Sequence, residues 1–219
     1  MIEALIQNDL RYMRKDPMMW AILILPIGMV SVYYIGMGLV PGLEEYSGIV
    51  KYLFLTMGGC IPGSLLGLRI LDEKDEHILP YFAVTPLTLK GYYSYRGMVS
   101  LIIGLVEVTI ISIGITNSLN LFIVLYLAIL SVGMTYLVGG VAKNKIQGMV
   151  SLKLFSLIFV LPCIRLFGEN RFETLIRFLP WDYVYHIYGT NHSVDLLAIP
   201  YSLLVLGVIA FLYSYIIRK

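Results

Sequence analysis

The chain has 219 residues, 58% hydrophobic and 14% charged, with a mean hydropathy of +0.82 and a formal net charge of +2. Soluble domains are nearer about 45–50% apolar and about 25% charged, so lipid suits most of this chain as solvent. An ordinary cytosolic enzyme, a nucleic-acid binder and a disordered chain are excluded. Cys60 and Cys163 both lie in apolar stretches and suggest two buried thiols rather than a disulfide framework or a metal knuckle.

In chain order, residues 1–16 place Ile2, Leu5, Ile6, Leu10 and Met13 at helical spacing beside Asp9, Arg11, Arg14, Lys15 and Asp16. This predicts an amphipathic helix on the membrane surface, with a positively charged tail that only sets topology as the alternative. Asp16-Pro17 breaks it and turns the chain inward. A spanning helix needs about 20 mostly apolar residues. Six stretches qualify: 17–40, 50–70, 97–116, 118–142, 148–167 and 195–217. The expected fold is an all-α polytopic membrane protein of one domain. Placing the N-terminus inside puts twelve basic residues on the cytoplasmic side and its span edges against four outside, the asymmetry that orients membrane proteins. Both termini are then cytoplasmic, in a multi-pass protein of the cell membrane.

The longest cytoplasmic segment, 72–90, opens on Asp72, Glu73, Asp75 and Glu76, which suits a helix N-terminus. The apolar patch Ile78, Leu79, Tyr81, Phe82 and Val84 follows, and Thr85-Pro86 ends it. An exposed apolar patch rimmed by charge marks a protein contact, unless the segment packs on its own domain. The outer stretch 168–193 holds Phe172, Phe178, Trp181, Tyr183, Tyr185 and Tyr188. It predicts either a short helical or re-entrant element on the outer leaflet, broken at Pro180, or a plain interfacial loop at the aromatic belt.

Gly59, Gly63 and Gly67 recur every four residues in the second span, around Pro62. They make a smooth face for close helix approach, as a dimer seam, a moving helix or static packing within one subunit. Glu107 is the one carboxylate in the middle of a span. A charge there is expensive, so it makes an interhelical hydrogen bond or lines a substrate or proton pathway. No Gly-Lys dipeptide occurs, hence no P-loop, and the three histidines lie outside the spans. No catalytic, cofactor or metal site is expected in this chain.

Four stretches carry a resemblance: Asn8-Asp9-Leu10-Arg11-Tyr12-Met13-Arg14-Lys15-Asp16-Pro17; Asp75-Glu76-His77-Ile78-Leu79-Pro80-Tyr81-Phe82-Ala83-Val84-Thr85-Pro86-Leu87; Lys143-Asn144-Lys145-Ile146-Gln147-Gly148; and Leu179-Pro180-Trp181. With the helical layout, they make the chain similar to ABC-2-type transporter permeases, nearest to small bacterial drug- or peptide-exporting members. It departs from large eukaryotic relatives in a short outer segment without their cysteines. The resemblance implies a half-permease pairing with a second copy or a homologous permease, and an amphiphilic drug, peptide or lipid-like substrate. ATP and magnesium would be bound by a separate ABC ATPase. Glu73, Glu76, His77, Ile78, Leu79, Tyr81 and Phe82 would form the coupling helix on that ATPase, flanked by Arg11, Arg14 and Lys15. An ion-coupled secondary transporter and a membrane immunity protein binding a toxic peptide are the competing readings.

Overall fold

The structure, a computed structural model, describes residues 5–7, 9, 11, 15, 17–84, 88–167, 176, 179–189 and 198–218. The main elements are α1 (Pro17–Leu39), α2 (Ser47–Asp75), the short α3 (Leu79–Val84), α4 (Thr88–Thr116), α5 (Leu121–Tyr136), α6 (Lys145–Val160), α7 (Asp182–Gly189) and α8 (Ala198–Arg218). A 3-10 turn at Leu43–Tyr46 precedes α2, a π-helical segment at Leu137–Val141 extends α5, and 3-10 backbone at Leu161–Phe167 extends α6. No strand occurs among the described residues.

Among the described residues, five helices are long and apolar enough to cross a membrane: Trp20–Leu39, Leu43–Asp75, Thr88–Thr116, Leu121–Val141 and Lys145–Ile164. The sixth expected span coincides with α8, whose apolar stretch is the shorter Leu203–Ile216. Pro17 opens α1, where its missing N–H costs nothing. Gly42, with φ +83°, makes the turn out of α1 that a side chain would resist.

The core is a three-way packing of α2, α4 and α5. The α1 helix lies on α4 and α2, α6 on α2, α8 on α5, and α7 on α2. The glycine face is spent inside the subunit. A Cβ on Gly63 would overlap the Ser131 carbonyl of α5, one on Gly59 would sit 2.9 Å from Leu127 Cβ, and one on Gly67 2.7 Å from Val138 Cβ. The backbones meet where the side chains are missing. Fully buried Ser100, Ser131 and Thr135 tie the seam together: Ser100 Oγ and Ser131 Oγ are 2.9 Å apart, and Thr135 Oγ1 lies 2.8 Å from Ser100 Oγ and 3.0 Å from the Gly63 carbonyl.

Two helices overrun their expected bounds. The α2 and α4 helices have 29 residues each, about 44 Å at 1.5 Å per residue, longer than a hydrocarbon core of about 30 Å. Both therefore protrude at the end that carries Asp72 and Lys90. The acidic run Asp72–Asp75 consequently closes α2 instead of opening a coupling helix. That is the unfavourable end of the helix dipole for carboxylates. Nearby cations offset it: Lys145 Nζ of α6 lies 2.7 Å from Asp72 Oδ1, Arg96 of α4 faces Glu73, and Arg69 lies one turn before Glu73 on α2 itself. His77 takes a left-handed conformation, φ +57°. Its N–H donates to the Lys74 carbonyl at 3.0 Å and the Ile78 N–H donates to the Glu73 carbonyl at 3.0 Å, the paired bonds that terminate a helix at such a residue.

The Lys143–Gly148 motif has a local physical account. Asn144 caps α6 by accepting from Gln147 N at 2.9 Å, while Gln147 Oε1 accepts from Lys143 N at 2.8 Å. This is a reciprocal arrangement of the capping-box kind. Gly148 then lets α6 close on Leu71 and Leu68.

The expected aromatic belt is, in its described part, a core element. Trp181, Tyr183 and Tyr185 are buried. The α7 segment enters the bundle: Trp181 Nε1 lies 3.3 Å from Cys60 Sγ, Tyr126 OH donates to the Pro180 carbonyl at 2.6 Å, and Tyr185 meets Tyr52 edge-on. For Trp181, protein rather than the membrane boundary takes up the polar tip. Phe172 and Phe178 lie outside the described residues, as do Arg14 and the Thr85–Leu87 break.

Candidate functional site

The chemistry of the molecule concentrates at the charged end of the bundle. Arg69 and Glu73 sit one turn apart on α2, and Tyr92 and Arg96 one turn apart on α4, so each pair shares a helix face. Arg96 is 2% exposed and Glu73 5%. Glu73 accepts from Arg96 Nη2 and Tyr92 OH, and Arg69 Nε lies 3.5 Å from it. Arg96 Nε donates to Tyr92 OH at 3.2 Å. The second carboxylate comes from the N-terminal segment: Asp9 Oδ2 accepts from Arg96 Nη1 at 2.9 Å and from Tyr95 OH at 2.7 Å. One guanidinium thus joins the N-terminal segment, α2 and α4. A buried cation with two carboxylates and phenol partners satisfies the demand that buried charge be paired and hydrogen-bonded.

The short helix α3 is mounted on this cluster. Phe82 stacks on Tyr92, ring centroids 4.8 Å apart at 17°, and Leu79 and Phe82 pack against Ile70, Tyr92, Tyr93 and Tyr136. The expected docking segment is therefore divided. Glu73 faces the interior, and Leu79 and Phe82 are half-buried anchors. Glu76, His77 and Pro80 are exposed, Tyr81 strongly so at 69%, and Ile78 is half-buried. Arg11 and Lys15 are exposed.

Beside α3 lies a cavity of about 370 Å³ lined by Lys74, Pro80, Tyr93, Gly140, Lys143 and Ile216, among others. Lys74 Nζ donates to the carbonyls of Gly139 at 2.6 Å and Ala142 at 3.1 Å. These are the carbonyls that the π-helical end of α5 leaves open. Lys74 and Lys145 together lash α2 to the α5–α6 connection.

Glu107 sits apart, deep in α4 and 3% exposed. One turn before it Gly104 approaches Ser131 and Ala128 of α5, and one turn after it Ile111 meets Gly58 of α2. Neither carboxyl oxygen has a hydrogen-bond partner among the described residues, so the interhelical bond expected of it is not made here.

Sequence reasoning missed Arg96, Tyr92 and Asp9. The Tyr92–Arg96 turn was a readable signal, because both fall on one helix face. The pairing of Arg96 with a residue 87 positions away was not.

A family profile described as fluoroquinolones export permease protein Rv2686c-like matches residues 9–217. The chain is similar to the fluoroquinolones export permease proteins MT2760 and Rv2686c of Mycobacterium tuberculosis, strains CDC 1551 / Oshkosh and H37Rv. Each is 24% identical over 196 residues, covering 80% of this chain and 76% of the relative. An all-helical bundle with several membrane-length helices accords with a permease, and the profile spans nearly the whole of it: the chain belongs to the Rv2686c-like family of export permeases.

Proposed function

We propose that this chain is the membrane subunit of an ATP-powered exporter of the ABC-2 type, and that it forms half of a pathway for an amphiphilic drug of the fluoroquinolone kind. A separate ABC ATPase supplies ATP hydrolysis, and a second permease completes the pathway. The membrane is the cell membrane, the charged end is cytoplasmic, and α8 is the sixth span. The observation that carries this reading is α3 itself. It is a short helix held outside the bundle by the Phe82–Tyr92 stack, with Tyr81 presented outward. Such a helix transmits motion only if an attached ATPase favours one permease state over another. Its mounting on a rigid ion cluster connects that contact directly to α2 and α4.

Tyr81→Asp is expected to remove ATPase subunits from the complex isolated in mild detergent, with vanadate-sensitive hydrolysis falling in step. The permease itself stays folded, because Tyr81 touches solvent. Phe82→Asp, by contrast, is expected to damage the fold, since a carboxylate would replace a ring stacked in the core. Retention of the ATPase by the Tyr81 variant would place the docking surface elsewhere.

One observation favours a second reading, ion-coupled transport: the carboxyl of Glu107 has no hydrogen-bond partner among the described residues. Glu107→Gln keeps the shape and removes the titration. It is expected to leave ATP-driven export unchanged and would abolish transport driven by a proton gradient. Loss of export in that variant would favour the ion-coupled mechanism.

A further inference from the structure

Two apolar helices finish at the cavity beside α3. With its π-helical end, α5 covers Leu121–Val141, 21 residues. That is about 32 Å of helix, a close match to a hydrocarbon core of about 30 Å. Gly140, near its end, lines the cavity, as does Ile216, where the apolar stretch of α8 stops. The other walls come from parts of the molecule that run on beyond this level. Lys74 closes α2, Leu79 and Pro80 belong to α3, and Leu89 and Tyr93 open α4. The cavity therefore lies in the headgroup layer, which adds about 5–7 Å to each side of the hydrocarbon.

Its lining is divided in chemistry. Lys74 and Lys143 bring positive charge, and no carboxylate lines it among the described residues. Lys74 is fixed in place, because its ammonium donates to the carbonyls of Gly139, Gly140 and Ala142. Those bonds occupy its N–H groups, so it offers an occupant a field rather than a hydrogen bond. Lys143 is complementary. Its backbone is held by the bond from its N–H to Gln147 Oε1 at 2.8 Å, while its side chain is exposed. Charge of one sign between low-dielectric walls concentrates the field. Leu79, Leu89 and Ile216 supply those walls. An occupant that suits both parts carries an anion next to apolar surface. A soluble anion leaves the apolar wall wet, and a zwitterionic head brings an ammonium that no lining carboxylate receives.

We propose that this cavity holds the headgroup of an anionic phospholipid. The phosphate lies against Lys143 in the field of Lys74, and the glycerol and first methylenes lie against Leu79, Leu89 and Ile216. Basic pockets between spanning helices take lipid headgroups in this way. Because Leu79 and Pro80 are part of the wall, the bound lipid touches α3 directly and steadies it. The inference concerns lipid, and it stands or falls independently of the exporter reading.

The test uses the full-length protein with the subunits that copurify with it. It is reconstituted in mixed phosphatidylcholine and phosphatidylglycerol vesicles, extracted in mild detergent, and its retained lipid is identified by native mass spectrometry. Preferential retention of phosphatidylglycerol is expected. Lys143→Gln should cut that retention roughly tenfold, the scale of one lost charge-assisted bond, and Lys143→Arg should restore it. Lys153→Gln removes an exposed lysine of α6 outside the cavity and should leave retention unchanged. Lys74→Gln would not discriminate, because it also releases the carbonyls at the end of α5. Equal retention of the two lipids, or equal losses from Lys143→Gln and Lys153→Gln, overturns the site. Displacement of the lipid by inorganic phosphate would make it a site for soluble anions, and displacement by a fluoroquinolone a substrate site; either result overturns the lipid assignment. As a second measurement, amide hydrogen exchange over residues 79–84 should slow when phosphatidylglycerol is added to the unsubstituted protein and not to Lys143→Gln. Exchange that ignores the lipid overturns its contact with α3.

Discussion

Gly63→Ala is expected to lower the stability of the bundle by about 3 kcal/mol or more, the upper range of overpacking in a close-packed interior. It should show as a sharp fall in monodisperse protein recovered in detergent and in its unfolding midpoint. The new Cβ would run into the Ser131 carbonyl. That neighbour is backbone in the middle of α5, so no side-chain rotation relieves the overlap. Separating α2 from α5 would also break the Thr135–Gly63 contact at 3.0 Å, leaving the Thr135 hydroxyl only its Ser100 and Ser131 partners. Gly28→Ala supplies the contrast. A Cβ there meets nothing within 4 Å, and alanine is the better helix former by about 1 kcal/mol, so that variant should be as stable as the parent or slightly more so. Equal behaviour of the two variants would mean that α2 and α5 do not meet through their backbones.

Arg96→Ala is expected to cost about 3–5 kcal/mol, the range for removing one partner of a buried ion pair. The loss is less that of an attraction than the creation of uncompensated charge. Glu73 is 5% exposed and would keep, among the described residues, only Arg69, 3.5 Å away, and the Tyr92 hydroxyl. Asp9 would keep only Tyr95 among the contacts described here. Arg96→Lys should recover only part of the stability, because an ammonium cannot reach Glu73, Asp9 and Tyr92 with a fixed fork of donors. Arg96→Met combined with Glu73→Leu should be milder than Arg96→Ala, since it removes both charges and fills the space. Thermal unfolding in detergent checks the order of the three. A single-substituted Arg96→Ala protein as stable as the combined variant would show that the cluster is hydrated. Under the exporter reading, Arg96→Ala should also uncouple ATP hydrolysis from export, because Phe82 stacks on the ring that Arg96 helps to hold.

The spans were legible because a lipid solvent imposes a simple condition: long stretches without charge. Their ends were less so. The second span reads as ending at residue 70, but α2 carries on to Asp75, where Lys145 and Arg96 meet its carboxylates. The aromatic stretch reads as a membrane belt by composition, and its described part is instead buried beside Cys60 and Tyr52. Composition places tyrosine and tryptophan where an apolar body needs a polar tip, and both a lipid boundary and a protein interior with available carbonyls meet that need.

The docking segment shows the same division. Its position between the second and third spans, its apolar patch and its charged rim are properties of local sequence. Which residues face outward is not. Helix periodicity alone ranks Phe82 with Tyr81 as apolar members of one short helix. The stack on Tyr92 turns one in and leaves the other out.

Membrane character, an all-helical architecture, the glycine face, the break at Pro17 and the isolation of Glu107 within a span all follow from local composition and spacing. These depend on solvent and backbone geometry near each residue. The joining of Asp9, Glu73 and Arg96, the use of Lys74 to hold the Gly139 and Ala142 carbonyls, and the spending of Gly59, Gly63 and Gly67 within one subunit were decided by tertiary packing. Each depends on which helices are neighbours, and that is set by the sum of many contacts across the chain rather than by the pattern along any one helix.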